Sequence, residues 1–195
     1  MTKTYLIIFV TGVVITIAGC LSGAPGAEKE AAPTFNNDSL VKRGSYLVST
    51  MLCDDCHSPK RMGPMGPELI QELRLSGFTQ TNKLPAIDTS EVKKGWTLFN
   101  QDLTSAVGAW GVSYAANLTS DASGIGNWTF DQFRTAIRDG KAKGLASNRM
   151  LLPPMPWPNI RNSNDEDLKA IFAYLKSTKP VRNIVPAPKS LSDLQ

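Results

Sequence analysis

Two of the three cysteines and the one histidine of the chain occur together, in the segment Cys53-Asp54-Asp55-Cys56-His57. Cysteines with this spacing form redox dithiols, disulfides, half of a zinc site, or the attachment point of a covalent cofactor. A tetrahedral zinc site needs four nitrogen or sulfur ligands. Cys53, Cys56 and His57 supply three, because the remaining cysteine, Cys20, lies in a predicted N-terminal lipidation signal. A thioredoxin-like dithiol needs a parallel sheet around it, and no alternation of strand and helix patterns surrounds Cys53. Both alternatives therefore lack parts that they need.

The attachment of a covalent cofactor, by contrast, needs nothing beyond these five residues. In the C-x-x-C-H signature of c-type haem, two thiols add to the vinyl groups of one haem and the adjacent histidine binds the iron. The close spacing is needed because both thioether bonds and the imidazole must meet one porphyrin. We therefore predict one covalent haem c, attached through Cys53 and Cys56, with His57 as an axial ligand of the iron.

The N-terminus has the pattern of an export signal. Lys3 precedes an apolar run from Tyr5 to Ile15, which is typical of a signal peptide over residues 1–19. The segment Ile17-Ala18-Gly19-Cys20 resembles the bacterial lipobox, in which the cysteine is lipidated and becomes the new N-terminus. An uncleaved anchor helix is the alternative. Both alternatives predict an extracytoplasmic, periplasmic-side domain tethered to a membrane, without indicating which membrane.

Composition divides the rest of the chain. We predict a flexible tether over residues 20–37, a folded domain over 38–185, and a disordered tail over 186–195, because the flanking segments are rich in Gly, Ala, Pro and Ser. The formal net charge of +4 suits docking to acidic proteins or anionic lipid headgroups. No block of Lys and Arg indicates a nucleic-acid partner.

Helical patterns dominate the folded domain. Apolar spacing predicts one helix that begins at Asp38 or Ser39 and another over residues 129–139. A capping box at Ser163-Asn164-Asp165-Glu166 predicts the start of the last helix. The long segment 60–116 has weaker patterns, with a possible short β-hairpin from about Leu98 to Tyr114, and a partner surface and a lid over the haem are both open as its role.

These elements and several motifs resemble class I cytochromes c. In that family an N-terminal helix bearing a glycine crosses a C-terminal helix bearing an aromatic residue, and Gly44 and Tyr174 match those positions. Further stretches resemble the cytochromes that serve periplasmic dehydrogenases; they are Ala116–Asp121, Gly124–Thr129, and Met155-Pro156-Trp157 followed by Asp165–Leu168. The resemblance implies a mainly α, class I fold with a long insertion between the haem motif and the methionine loop. Such relatives often carry two or three C-x-x-C-H motifs, whereas this chain has one.

There is no second histidine, so the other axial position is left to a methionine, a lysine, an N-terminal amine, or no protein ligand at all. Met51, Met62 and Met65 lie close to the haem motif in sequence, which leaves Met150 and Met155. The prolines on both sides of Met155 stiffen its loop, and the resemblance places the family's methionine ligand there. We predict Met155 as the ligand, because His/Met ligation raises the haem potential and suits electron transfer.

The resemblance also implies residues that support the site. The family's G-P-x-L turn has a proline whose carbonyl accepts the Nδ1 proton of the axial histidine, and Pro64 and Pro67 both fit, with Pro67 preferred. Trp157 is expected to line the haem crevice.

The expected function is electron transfer rather than enzymatic chemistry. The resemblance implies redox partners such as a dehydrogenase, a quinol-oxidising complex, a terminal oxidase or another cytochrome. The main alternative is a haem enzyme or gas-binding sensor with an open sixth coordination site. A small subunit locked permanently into an oxidoreductase is a third interpretation.

Overall fold

The computed structural model of the chain describes residues 37–194. The predicted signal peptide, the lipidation site Cys20 and the tether up to residue 36 lie outside this range. The described residues form six α-helices: α1 (Asn37–Thr50), α2 (Cys53–His57), α3 (Thr89–Lys93), α4 (Phe130–Arg138), α5 (Trp157–Ile160) and α6 (Asp165–Ser177). Within residues 37–194, no helix has the length and apolar character needed to cross a membrane.

The main core forms where α1 crosses α6. Leu47 and Val48 of α1 are buried together with Leu168, Ile171 and Leu175 of α6. Gly44 lies at the crossing itself, and a Cβ atom there would overlap the carbonyl oxygen of Ala170 and press on the Cβ of Tyr174. The close approach predicted at Gly44, with Tyr174 packed over it, is therefore present.

Capping side chains define where α4 and α6 begin. The Thr129 side chain accepts a hydrogen bond from the backbone N–H of Gln132, and Gly140 follows the helix in the left-handed region with φ of 64°. At α6 the cap is Asn164, whose side chain accepts from the N–H of Asp167 at 2.7 Å. The prediction of Ser163 as the cap is wrong by one residue, because the helix itself starts at Asp165.

Five short strands lie in the insertion between the haem motif and residue 116. β1 (Lys60–Gly63) and β2 (Gly66–Leu69) pair as one antiparallel hairpin. β3 (Leu98–Phe99), β4 (Ser105–Gly108) and β5 (Gly111–Tyr114) form an antiparallel sheet in that order. Val107 of β4 and Val112 of β5 form a second small core together with Val92 of α3. The description of the fold as mainly α is thus incomplete, since the insertion is built on β-structure.

The C-terminal segment packs against this sheet. The Val112 amide donates to the Lys189 carbonyl at 2.8 Å, and the Lys189 amide returns a hydrogen bond at 3.2 Å. A 3₁₀ turn at Leu191–Leu194 follows, and both leucines contact the second core. The prediction of a disordered tail is therefore wrong for residues 186–194. The composition around Pro186 and Pro188 indicated disorder. Leu191 and Leu194 are nevertheless ordered, because the folded sheet offers them an apolar surface to pack against.

Candidate functional site

The two cysteines lie on a single short helix. Leu52, in a left-handed backbone conformation with φ of 58°, separates α1 from α2 and turns the chain into the C-x-x-C-H segment. Cys53 and Cys56 are three residues apart on a helix, so their thiols project from the same side. Both are half-buried, and neither forms a disulfide. The thiols are thus arranged to react with one ligand on one face.

The environment of these thiols disfavours a redox dithiol. Burial, followed by the negative charge of Asp54, raises the pKa of Cys53 to about 11. Burial likewise raises the pKa of Cys56. Thiols that exchange disulfides have a lowered pKa, because the thiolate is the nucleophile. Cys53 and Cys56 have the opposite property.

The His57 ring is held by a hydrogen bond from its Nδ1 atom to a backbone carbonyl. Its side chain is buried, with 8% of the residue exposed, and burial lowers its pKa, which favours the neutral ring. The distance from Nδ1 to the carbonyl oxygen of Ala116 is 2.8 Å. Since a carbonyl only accepts, Nδ1 carries the proton, and the lone pair of a neutral imidazole is then on Nε2. Nε2 is the atom available to bind iron.

The prediction of Pro67 as the partner of His57 is wrong, and so is the alternative Pro64. Residues 60–69 fold back on themselves, so that Pro67 pairs with Met62 in the β1–β2 hairpin and is exposed at the surface. Pro64 is exposed in the turn of the same hairpin. The role that the resemblance assigned to a proline carbonyl belongs to the carbonyl of Ala116.

Two chain segments form the cradle of the histidine. The Gly77 amide donates to the His57 carbonyl at 2.8 Å, and the Phe78 amide donates to the Ala115 carbonyl at 3.0 Å. Gly77 has a φ of 76°, and a Cβ atom there would collide with Ala115 and Ala116. This close backbone contact brings the Ala116 carbonyl to the imidazole. The motif that starts at Ala116 was recognised in the sequence, but its connection to His57 was not.

Lys60 supports the haem motif, and no pattern in the sequence indicates this. Its half-buried ammonium group donates to the carbonyls of Asp55 at 2.6 Å, Ser58 at 3.0 Å, Asp102 at 3.0 Å and Asp54 at 3.3 Å. Three of these carbonyls lie in or directly after α2, at the end of the helix where backbone oxygens tend to lack helical partners, although the Asp54 carbonyl also accepts from the Ser58 amide at 3.2 Å. Lys60, at the start of the insertion, therefore links the haem motif to the loop at Asp102 through hydrogen bonds.

The methionines differ in their surroundings. Met155 is partly buried and packs against the main core, as Cys53 does. Met150 is 42% exposed, Met62 is 60% exposed and Met65 is 96% exposed. Of the two candidates that remain from the sequence, Met155 is the one on the core, and its bond to iron stays a prediction.

Trp157 occupies the first position of α5. A Cβ atom at Gly140 would meet its indole ring, and the guanidinium of Arg161 lies 5.4 Å from the ring centroid. Trp157 therefore packs against the end of α4 and against Arg161 at the end of its own helix. Its contact with a haem stays a prediction.

The donor set fits haem c and not zinc. Among residues 37–194, no three His, Cys, Asp or Glu side chains come together in a way that could hold a metal ion. Two free thiols on one helix face and a buried imidazole fixed through Nδ1 are what thioether attachment and axial ligation require.

Comparison with known proteins gives relatives of one kind. No protein-family model matches the chain. The chain is 31% identical over 81% of its length to the gluconate 2-dehydrogenase cytochrome c subunit of Pantoea cypripedii, and 39% identical over 83% to the fructose dehydrogenase cytochrome subunit of Gluconobacter japonicus. It is 26% identical over 74% to the cytochrome c subunit of a quinone alcohol dehydrogenase of Gluconobacter oxydans.

The matched region is a small part of these relatives. The chain spans 26% of the length of the first two proteins and 23% of the third. Over most of its own length it is similar to cytochrome c subunits of dehydrogenases, which confirms the resemblance predicted from the motifs.

Proposed function

We propose that this chain, a relative of dehydrogenase cytochrome c subunits, is an extracytoplasmic cytochrome c with one haem that transfers single electrons between redox proteins. One observation carries the proposal: His57 follows two thiols on one helix and is buried, with Nδ1 bonded to the Ala116 carbonyl and Nε2 left for iron. A histidine that served only to pack the core would not need two adjacent free thiols.

Each residue of the site has a distinct task in this proposal. Cys53 and Cys56 hold the haem by thioether bonds, and His57 binds its iron through Nε2. The Ala116 carbonyl fixes the plane of the imidazole and increases the basicity of Nε2. Met155 supplies a thioether sulfur as the sixth ligand, and Trp157 covers the haem. The bound haem supplies a one-electron couple between ferric and ferrous iron.

The relatives support the choice of partner. Their names identify gluconate, fructose and alcohol dehydrogenases, so we propose a dehydrogenase as the electron donor, with a quinol-oxidising complex as the alternative donor. A terminal oxidase or another cytochrome then accepts the electron. We further propose that the protein is a lipoprotein held to a membrane by Cys20, on the periplasmic side.

A single preparation tests the haem assignment. The chain is expressed in cells that mature c-type cytochromes, together with a Cys53→Ala/Cys56→Ala variant, and haem is followed by peroxidase stain on a denaturing gel. We expect one haem per chain that survives denaturation in the wild type and none in the variant. Haem that dissociates from the denatured wild type would contradict thioether attachment.

The reduced protein separates the carrier from the alternative with an open site. A carrier with two axial protein ligands has a low-spin spectrum that carbon monoxide does not change. A spectrum that shifts when carbon monoxide is added would instead support a ligand-binding haem protein.

A further inference from the structure

Asp54, the first of the two residues between the cysteines, is part of a closed polar network. Asp54 has a side chain with only 14% of its area exposed, and both carboxylate oxygens are bonded to Arg74. The Arg74 Nε atom donates to Oδ1 at 2.9 Å, and its Nη2 atom donates to Oδ2 at 2.7 Å. Ser58, which is fully buried, donates its hydroxyl to Oδ1 at 2.7 Å. This is a bidentate arginine–carboxylate pair, the strongest arrangement of the two groups.

Arg74 extends the network to the C-terminal helix. Its Nη1 atom donates to the hydroxyl of Tyr174 at 2.5 Å, and its guanidinium lies 5.8 Å from the centroid of that ring. Tyr174 is also the residue that packs over Gly44. Arg74 is thereby held on two sides, and its side chain is 29% exposed. The position of both charges relative to α2 is fixed by these contacts.

Charges placed here act on any group attached to the neighbouring cysteines. Reduction of a haem adds one electron, so a nearby negative charge opposes it and a nearby positive charge favours it. Partly buried charges are screened less by water and salt than exposed ones. Asp54 is covalently adjacent to Cys53 and three residues from His57.

We propose that Asp54 and Arg74 are a compensating charge pair that sets the midpoint potential of the haem, with Asp54 favouring the oxidised state and Arg74 the reduced state. This inference rests on the proposed haem. Neither residue contacts the iron, and their charges act on the haem through space. Together they keep the midpoint potential between the values that either charge alone would produce.

The sign of the potential shift tests the proposal. The variants are Asp54→Asn, Arg74→Gln and the double variant, each purified with its haem and titrated by spectroelectrochemistry. We expect the midpoint potential to rise in Asp54→Asn, to fall in Arg74→Gln, and to return toward the wild-type value in the double variant. Single variants that shift in the same direction, or retain the wild-type potential, would overturn the proposal, because a loss of packing alone has no reason to change sign with charge.

Matched controls separate charge from structural loosening. Arg43 and Asp167 form a comparable arginine–aspartate pair between α1 and α6, outside the haem motif. Arg43→Gln and Asp167→Asn are expected to change the potential less than the Asp54 and Arg74 variants. Equal or larger shifts in these controls would contradict a specific role for the pair.

A charge-conserving variant keeps the test decisive if Arg74→Gln does not fold. Arg74→Lys retains the positive charge without the bidentate contact, and its potential is expected to stay closer to the wild type than that of Asp54→Asn. A larger shift in Arg74→Lys would overturn the proposal. Wild-type protein without covalent haem would overturn the proposed function and this inference together, whereas haem with unshifted variant potentials would overturn the inference alone.

Discussion

Ala116 contributes to the site through its backbone, and the consequence is a histidine with a defined proton. A carbonyl at 2.8 Å fixes the tautomer, because it accepts the Nδ1 proton and leaves the Nε2 lone pair for a metal. The same carbonyl also compensates for the burial of the polar ring, which would otherwise be costly. A side-chain substitution at Ala116 leaves this oxygen in place, so the interaction is insensitive to the residue type there.

Met155 and Met150 lead to a prediction about single residues. Met155→Ala is expected to abolish the near-infrared sulfur-to-iron band of the oxidised haem and to lower the midpoint potential, since a donor that favours ferrous iron is lost. Carbon monoxide should then bind the reduced form. Absorption spectra of the purified variant measure the near-infrared band and the binding of carbon monoxide, and a spectroelectrochemical titration gives the midpoint potential.

Met150→Ala is the matched control for this prediction. Met150 is 42% exposed, so its truncation should leave the spectrum and the potential unchanged. The opposite pattern, with a lost band in Met150→Ala and an intact one in Met155→Ala, would assign the ligand to Met150.

At the level of secondary-structure elements, the β1–β2 hairpin is why residues 60–69 do not support the haem motif as predicted. Residues 60–69 form their own antiparallel pair and leave His57 to the segments around Gly77 and Ala116. The strand that begins with Lys60 returns a positive charge to the carbonyl end of α2. A cation at the C-terminus of a helix is stabilising, and here it also satisfies several backbone oxygens.

Lys60→Met tests this support. The substitution keeps most of the length of the side chain and removes the donor to four carbonyls, so we expect the free energy of unfolding to fall by about 2–3 kcal/mol. Lys83→Met, at an exposed position, is the control and should stay within about 0.5 kcal/mol of the wild type. Denaturant titration of the haem-loaded proteins gives both values, and equal stabilities of the two variants would contradict the role assigned to Lys60.

Gly44→Ala tests the crossing of α1 and α6. Alanine is favoured over glycine in a helix by up to about 1 kcal/mol, yet its Cβ would overlap the Ala170 carbonyl. We expect the overlap to prevail and to destabilise the protein by about 1–3 kcal/mol or more. Ser49→Ala, on the exposed side of the same helix, should have little effect. A more stable Gly44→Ala variant in thermal unfolding would show that the helices do not approach this closely.

At the scale of the whole molecule, residues 37–194 pack around two hydrophobic cores. The C-terminal segment completes the second core. The main core joins α1 and α6, whereas the smaller core lies between the three-stranded sheet and the turn at Leu191–Leu194. Lys189 pairs with Val112 of β5, and Leu191 and Leu194 pack against the second core, so this segment belongs to the folded domain. The domain boundary predicted at residue 185 therefore moves toward the C-terminus.

Leu191→Ala combined with Leu194→Ala tests the attachment of this segment. Both leucines are partly buried, so the loss of their contacts should destabilise the protein by about 2–4 kcal/mol. Hydrogen exchange of the Val112 amide, which donates to Lys189, should become faster in the variant. Fast exchange of this amide already in the wild type would contradict the pairing.

Cys20→Ser tests the anchor of the whole molecule, which lies outside the described residues. We expect the variant precursor to escape processing by the lipoprotein route, while the domain still acquires haem when another export signal replaces the first. Mass spectrometry of the membrane-bound wild type should find a lipidated N-terminal cysteine. An unmodified Cys20 thiol would contradict the proposal.

The sequence by itself determined the features that depend on neighbouring residues. The haem motif is five contiguous residues, and the helices α1, α4 and α6 were predicted from apolar periodicity and, for α6, from a capping box. The close approach at Gly44 was predicted from the resemblance to class I cytochromes c, in which a glycine occupies this crossing. The ligand role of Met155 and the haem contact of Trp157 remain predictions.

Only the tertiary structure decided which distant groups meet these residues. His57 and Ala116 are 59 residues apart, and Asp54 and Arg74 are 20 residues apart. A backbone carbonyl is the same in every residue, so no sequence pattern distinguishes the one that faces the histidine. The choice among such acceptors, and the pairing of Asp54 with one arginine, follow from how the chain packs around its two cores.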